Sequence, residues 1–246
     1  MKIPKKVDRD TIAEAIFEIR FLEKSELSFE LLLGSIYPSV HADFPKIVAL
    51  PITQLPRTLV SADPNLRYQP LNRLDGEHFG ISIGNRILAI HCKAPYQGWS
   101  NYKFQIIRIL GLVKKSEVIG SLERISIKYV NVLQKDDFPE GIDALKVSLK
   151  IDDLEYDKST VQLRSEIIDN DTITIVEILT SAILTIGDGK QRVNGVLVSV
   201  DTVCNKNIEN FWDNTDKYLE LVHQTEKNIY FNVLTETTLK KLGPEY

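Results

Sequence analysis

Alternating apolar and polar residues recur along this chain, and at two points the alternation gives way to a long amphipathic helix pattern near a tryptophan. Residues 98–115 and 207–225 both place apolar side chains at helical spacing, and they contain both tryptophans of the chain, Trp99 and Trp212. Each segment follows a run that is typical of a β-strand. An amphipathic helix and a one-sided sheet can bury their apolar faces only against another element. The pattern therefore predicts long helices packed on antiparallel sheet.

The strand-like runs are numerous enough to build a large sheet. Residues 10–21 end in the alternation that marks a half-buried strand. Residues 78–93 form two such runs joined at Gly84 and Asn85, residue types that favour a tight hairpin turn. Residues 121–134 are a further long strand, and we predict an α+β fold. The later strand-like runs are residues 145–151, 159–168, 171–187 and 192–205.

The recurrence of a strand followed by a tryptophan-containing helix predicts an internal duplication. We expect two related halves, residues 1–135 and 136–246, each an antiparallel sheet with a long amphipathic helix packed on one face. Cys92 and Cys204 lie at nearly matching places before the two helices. The alternative is that any amphipathic helix after any strand has this appearance, since the identity between the halves is low. One continuous domain is the alternative to two.

Composition excludes several classes of function. The net charge of −4 argues against a general nucleic-acid binder, although it allows a local basic patch. Two cysteines cannot form a disulfide framework or a four-thiolate zinc site. The sequence has no stretch apolar enough to cross a membrane and no apolar segment after its basic start, so we expect a cytoplasmic protein without a secretory signal. It also lacks the phosphate-loop, dinucleotide, nucleophile-elbow and HExxH motifs, and we predict no cofactor.

Polar residues within the strands are the best candidates for a binding surface. Glu18 and Arg20 share one face of their strand, and Lys128 lies on a strand with Tyr129 and Asn131, which share a face with each other. Charged residues in strands usually mark the solvent side of a one-sided sheet. The other interpretation is that they line a groove for a polar or anionic partner. We therefore predict these five residues as the partner-binding residues.

A cluster of acidic residues suggests a metal site as an alternative. Metal-dependent nucleases hold magnesium with carboxylates at strand ends. The acids here fall mainly in predicted turns, where aspartate also satisfies the local backbone. The four histidines are scattered, and no pair has metal-ligand spacing. The candidate ligands are Asp152, Asp153, Glu155, Glu166 and Asp169.

Three segments together resemble an uncharacterised protein family that is sporadically distributed among bacteria and archaea, with members about as long as this chain. They are EAIFEIRF at residues 14–21, YQGWSNYKFQIIRIL at residues 96–110 leading to RISIKYVN at residues 124–131, and FNVLTETTLKKLGPE at residues 231–245. Where the family tends to show Arg-Tyr-x-Asn, this chain has lysine at position 128, which keeps the charge without the planar guanidinium. The resemblance implies no established activity or catalytic residue. Its patchy distribution is typical of mobile, defence-associated or toxin–antitoxin genes.

Three functional hypotheses follow. The leading one is a non-enzymatic binding or regulatory protein, an accessory of a mobile defence or toxin–antitoxin system that acts through a protein partner. The second is a metal-dependent nuclease or hydrolase that uses the acidic cluster. The third is a small-molecule sensor with its ligand in an interface pocket.

Overall fold

The computed structural model describes residues 2–148, 160–186 and 191–246, and a nine-stranded antiparallel sheet dominates it. A separate two-stranded sheet joins the two ends of the chain. The strands are β1 (Lys6–Val7), β2 (Ile12–Glu23), β3 (Lys46–Ala49), β4 (Asn72–Asp75), β5 (Phe79–Ile83), β6 (Ile87–Lys93), β7 (Ile119–Gln134), β8 (Gln162–Asp169), β9 (Thr172–Ile186), β10 (Gln191–Cys204) and β11 (Pro244–Glu245). The large sheet has the order β3-β4-β5-β6-β2-β7-β10-β9-β8, and β1 pairs with β11.

Three long helices lie on one face of the large sheet. On β2 the residues Ala15, Phe17, Ile19 and Phe21 are fully buried, and they form one apolar cluster with side chains of the three helices. The residues between them face the other side of the sheet, as the alternation predicts. The helices of the structure are α1 (Ser28–Val40), α2 (Arg57–Ala62), α3 (Trp99–Ser116), α4 (Thr215–Val233) and α5 (Glu236–Lys241), of which α1, α3 and α4 are the long ones.

Most of the predicted elements form. The α+β class, the strand at β2, the β5–β6 hairpin, the helix α3 and the long strand β7 are all confirmed. The run at 145–151 differs, because Leu145 forms only an isolated bridge with Leu234 and residues from 149 onward lie outside the described ranges. Strands from both predicted halves join one sheet, in which β7 pairs with β2 on one side and β10 on the other.

The second long helix begins later than its periodicity predicts. Asn207 has a φ of +54°, which lies outside the right-handed helical region. Trp212 then belongs to a short 3-10 helix, Phe211–Asp213, and α4 runs from there to Val233. Trp99 is by contrast the first residue of α3, so the two tryptophans hold different positions relative to their helices.

The N-terminal segment crosses the molecule beside α4. The strand β1 pairs with β11, and the amide of Asp8 donates to the Leu242 carbonyl over 3.0 Å. The ammonium of Lys227 on α4 donates to the Lys5 carbonyl over 3.1 Å. Both ends of the chain are therefore fixed next to the C-terminal half of α4. No helix in the described ranges is long and apolar enough to cross a membrane.

Candidate ligand-binding site

A cavity of about 610 Å³ lies between the N-terminal segment, the start of α3, the strand β7 and the helix α4. These elements are far apart in sequence, and both predicted halves contribute to its walls. The lining includes five aromatic residues together with buried polar groups. The lining residues with aromatic rings or polar groups that bear on ligand binding are Thr11, Tyr96, Trp99, Tyr129, Asn131, His223, Glu226, Lys227 and Tyr230.

One wall of the cavity is a stack of aromatic rings. The indole of Trp99 lies 3.8 Å from the imidazole of His223, centroid to centroid, with 13° between the ring planes. The Nδ1 atom of His223 is hydrogen-bonded to the Tyr129 hydroxyl at 3.2 Å, and that hydroxyl is hydrogen-bonded to the Tyr96 hydroxyl at 3.0 Å. The indole Nε1 of Trp99 donates to Glu220 over 2.9 Å, which fixes the ring further. Hydrogen bonds therefore fix the rings of this wall at both ends.

A second group of hydrogen-bonded side chains also lines the cavity. The hydroxyl of Thr11 donates to the Asn131 side-chain oxygen over 2.9 Å. A hydroxyl has only one hydrogen, so the contact of 2.7 Å between Thr11 and Tyr230 places Tyr230 as the donor. Thr11 therefore connects the N-terminal segment to both β7 and α4.

Two buried polar atoms of this cavity have no hydrogen-bond partner. They are the side-chain nitrogen of Asn131 and the Oε1 atom of Glu226. Asn131 is only 1% exposed and Glu226 only 4%. Buried polar groups in native proteins are nearly always hydrogen-bonded, and an unpaired one costs about 1–3 kcal/mol. A pair of such atoms in one cavity therefore points to a ligand.

Burial controls the charge of the titratable groups in the cavity. It raises the pKa of Glu226 well above its usual value, and the neighbouring Lys227 opposes this only in part. Burial also lowers the pKa of His223 to about 4, and Lys227 lowers it further. The carboxyl group of Glu226 therefore keeps its proton to a higher pH than an exposed glutamate does, and near neutral pH the imidazole of His223 is uncharged.

Only two of the five predicted partner-binding residues reach this cavity. Tyr129 and Asn131 lie on the helix-covered face of β7, whereas Lys128 points to the other face. Glu18 and Arg20 lie on that other face too, since they alternate with the buried residues of β2. The prediction thus combined residues from opposite sides of the sheet.

The charged residues on the other face pair with one another. The Oε1 atom of Glu18 accepts from Arg20 Nε over 2.7 Å and from Arg124 Nη2 over 2.9 Å. The Arg20 guanidinium also lies 4.5 Å from the centre of the Tyr68 ring. Lys128 is 3.6 Å from Glu177. These contacts form a polar network across the strands.

The acidic cluster is only partly within the described residues. Asp152, Asp153 and Glu155 lie outside them. Glu166 accepts from Arg164 over 2.6 Å, and Asp169 ends β8 at the turn into β9. Within residues 2–148, 160–186 and 191–246, no group of three or more His, Cys, Asp or Glu side chains is placed to hold a metal ion.

Several residues of the cavity had no functional role in the sequence-based predictions. His223 has no other histidine at metal-ligand spacing, and Trp99 lies in an amphipathic helical segment, so neither carries a local sign of a binding role. Glu226 had a usable signal, because it follows the buried residues Leu219 and Val222 at helical spacing and so occupies a core position of α4. A carboxylate at such a position is rarely fully buried without a partner.

No protein-family model matches this chain, and no curated protein is significantly similar to it.

Proposed function

We propose that this protein binds a small organic molecule in the cavity beside α4 and acts as a ligand-responsive regulatory protein. The observation that supports this most directly is the pair of unpartnered buried atoms, Asn131 nitrogen and Glu226 Oε1, in one aromatic-lined cavity. The sensor hypothesis from the sequence predicts a pocket at the interface between the two halves. The cavity has walls from both.

The dimensions and lining of the cavity support binding. A volume of about 610 Å³ is within the range of small-molecule sites, which are mostly apolar or aromatic with a few placed polar groups. The rings of Trp99 and Tyr129 provide the apolar surface here. Hydrogen-bonded neighbours hold both rings, so the site needs little reorganisation before a ligand enters.

The protonation state of His223 disfavours it as a catalytic base. A general base works best with a pKa near the pH at which it operates. The pKa of His223 is lowered to about 4 by burial, so its imidazole is a weak base.

The connection of the cavity to the chain ends supports a regulatory role. Thr11 and the backbone before it form one wall, and this segment continues into β1, which pairs with β11. A ligand that contacts this wall would therefore stabilise the pairing of β1 with β11, and a partner that recognises these strands would respond to it.

Identification of a ligand that co-purifies from the native host would test this proposal. We would purify the protein from its native host, release small molecules by denaturation and identify them by mass spectrometry. The Ser100→Trp variant is the control, because Ser100 is an exposed residue at the rim of the cavity and a bulky side chain there closes the entrance. We expect a stoichiometric compound from the wild type that the variant lacks. Absence of a compound, together with no rise in Tm of the wild type in host metabolite extract, would contradict the proposal.

We also propose that the two halves arose by duplication. The sheet order supports this, since β2 and β7 lie at its centre with β6-β5-β4 on one side and β10-β9-β8 on the other. The units that this order suggests are residues 12–116 and 119–233, so their boundary would fall before β7 and not at residue 135 as the sequence pattern predicts. In each unit one central strand comes first, a three-stranded meander follows and a long helix ends the unit. Reversing the order exchanges the four strands of each unit, and β3 has no counterpart among the described strands of the second unit. An alignment of homologues that shows no similarity between the two units would count against it.

A protein partner on the side of the sheet away from the long helices is our second proposal. Glu18, Arg20 and Lys128 lie there, while α1, α3 and α4 all pack on the opposite face. A mobile defence or toxin–antitoxin system is the setting that the family resemblance suggests. The corresponding binding test is given in the Discussion.

A further inference from the structure

The free hydrogen-bonding positions in the cavity define what a ligand must offer. The side-chain oxygen of Asn131 already accepts from Thr11, so its unpartnered nitrogen is a donor that needs an acceptor. The unpartnered oxygen of Glu226 belongs to a carboxyl group, which when protonated offers both an O–H donor and a carbonyl acceptor. A complementary ligand therefore presents an acceptor and, beside it, a donor.

The surroundings of Glu226 disfavour a charged ligand. Its carboxyl group lines the cavity together with Tyr96, Tyr129 and Tyr230, and burial raises the pKa of all three tyrosine hydroxyls. Lys5 and Lys6 are exposed, and the ammonium of Lys227, which also lines the cavity, already donates to the Lys5 carbonyl over 3.1 Å. An anion bound beside Glu226 would lose its hydration, while the Lys227 ammonium is shared with the Lys5 carbonyl. A cation would require Glu226 to ionise while it is fully buried.

The shape of the wall selects for a planar group. The rings of Trp99 and His223 are stacked nearly parallel, and the Tyr129 ring lies 5.8 Å from the imidazole at an angle of 46°. Aromatic rings stack favourably with flat unsaturated groups. A flat ligand with hydrogen-bonding atoms at its edge satisfies both the wall and the two unpaired atoms.

We propose that the ligand is an uncharged planar molecule with an amide or lactam edge, such as a nucleobase-type heterocycle, held by Asn131 and Glu226. This inference rests on the proposed ligand-binding function and specifies the chemical class of its ligand. Asn131 donates to the ligand carbonyl, and Glu226 accepts from or donates to the adjacent N–H position. The aromatic wall covers one face of the ring.

Three probes of similar size and different charge test the class. Benzamide is neutral and has the amide edge, benzoate is an anion and benzylamine is a cation. Binding is measured by calorimetry and by Trp99 emission in the Trp212→Phe variant, which leaves one tryptophan in the chain. We expect benzamide to bind at least ~10-fold more tightly than either charged probe, because benzoate would bury its negative charge and benzylamine offers no acceptor to the Asn131 nitrogen.

Substitutions of Asn131 and Glu226 test whether these two residues contact the ligand. Asn131→Leu and Glu226→Leu should each weaken benzamide binding by ~10-fold or more, because each removes one hydrogen-bonding group. Glu226→Gln keeps an acceptor and a donor in a neutral side chain and should stay within about threefold of the wild type. Asn228→Leu, at an exposed position of α4, is the matched control and should bind like the wild type.

The possible outcomes distinguish a failure of the proposed ligand class from a failure of the proposed ligand-binding function. Tighter binding of benzylamine or of benzoate would overturn the neutral class while ligand binding itself stands. Binding of host extract without binding of benzamide would overturn the amide edge alone. If neither extract nor any probe binds, the proposed function fails as well. Benzamide binding that is unchanged in Asn131→Leu and Glu226→Leu would overturn the two contacts.

Discussion

Trp99 and His223 stack face to face, with 3.8 Å between ring centroids, and so connect the first turn of α3 to the middle of α4. The sequence pattern places both residues on amphipathic helices but gives no reason for them to meet. Their stack makes one wall of the cavity and removes the imidazole from water. The cavity and the contact between the two long helices therefore share the same residues.

The buried imidazole makes stability depend on pH in a defined window. Burial lowers the pKa of His223 from 6.5 to about 4, with Lys227 and Lys103 lowering it and Glu220 raising it. Between pH 6.5 and 4 the unfolded chain binds more protons than the folded protein, so the free energy of unfolding falls as the pH falls. This contribution should reach about 3 kcal/mol at pH 4. Urea denaturation of wild type and His223→Gln at pH 7, 5.5 and 4 should show that the wild type loses about 3 kcal/mol more than the variant between pH 7 and pH 4.

His78→Gln is the control for that experiment, because the side chain of His78 is 40% exposed. Its pH profile should follow that of the wild type. Equal pH profiles for His223→Gln and the wild type would contradict a neutral, buried imidazole.

Glu226 should produce the opposite dependence. Burial raises the pKa of its carboxyl group well above the ordinary value of 4.5. The folded protein then keeps a proton that the unfolded chain releases, so the free energy of unfolding falls as the pH rises from 4.5 through the folded pKa. The slope approaches about 1.4 kcal/mol per pH unit. Glu226→Gln should remove this slope, as measured by urea denaturation between pH 5 and 8, and a wild-type slope that persists in the variant would contradict it.

Thr11 should matter more than its surface position suggests. Replacing it with valine keeps the shape but leaves the Asn131 oxygen and the Tyr230 hydroxyl without the partner that each has at 2.9 and 2.7 Å. Unsatisfied buried groups cost about 1–3 kcal/mol, so Thr11→Val should lower the free energy of unfolding by that amount. Thr11→Ser retains the hydroxyl and should lose less than half as much. Equal losses in the two variants would show that the methyl group and not the hydroxyl stabilises the segment.

Arg20 tests the protein-partner proposal. Its guanidinium pairs with Glu18 on the face of the sheet away from the long helices. A partly exposed pair contributes little to stability, about 0–1 kcal/mol, so Arg20→Ala should fold normally. Affinity purification from the native host with tagged wild type should recover a stoichiometric protein that Arg20→Ala loses and Arg9→Ala retains, since Arg9 is an exposed residue paired with Asp137. Recovery of the same protein with all three would contradict binding at this face.

Local periodicity was sufficient to predict most of the sheet and α3. The alternation in β2 and β7 reports directly which face is buried, because every second residue of a strand lies on the same side. The predicted start of α4 was wrong. Periodicity cannot show that Asn207 takes a positive φ, which prevents a right-handed helix from including this residue. The first and last residues of a helix or strand depend on single residues, whereas its buried face depends on the whole run of alternating or periodic residues.

The cavity could not be predicted in the same way. Its key contacts join Thr11 to Asn131 and to Tyr230, across 120 and 219 positions of the chain. Such contacts depend on the tertiary fold, which places the N-terminal segment beside α4, a helix far away in the sequence. The one local sign was Glu226 at a core position of an amphipathic helix. A charged residue within an apolar stripe therefore indicates a site before any fold is known.

Two glycines at and within α3 provide a matched test of backbone conformation at the cavity. Gly98 lines the cavity directly before the helix with φ of +79° and ψ of +154°, a region that essentially only glycine occupies. Gly98→Ala should therefore lower the free energy of unfolding by about 1–3 kcal/mol, although an added Cβ would meet no atom within 4 Å. Gly111 lies exposed in the middle of the same helix, also with open space at its Cβ position. Gly111→Ala should raise the free energy of unfolding by up to about 1 kcal/mol, because alanine favours the helix. Urea denaturation measures both, and a stabilised Gly98→Ala would contradict the backbone conformation that shapes this edge of the cavity.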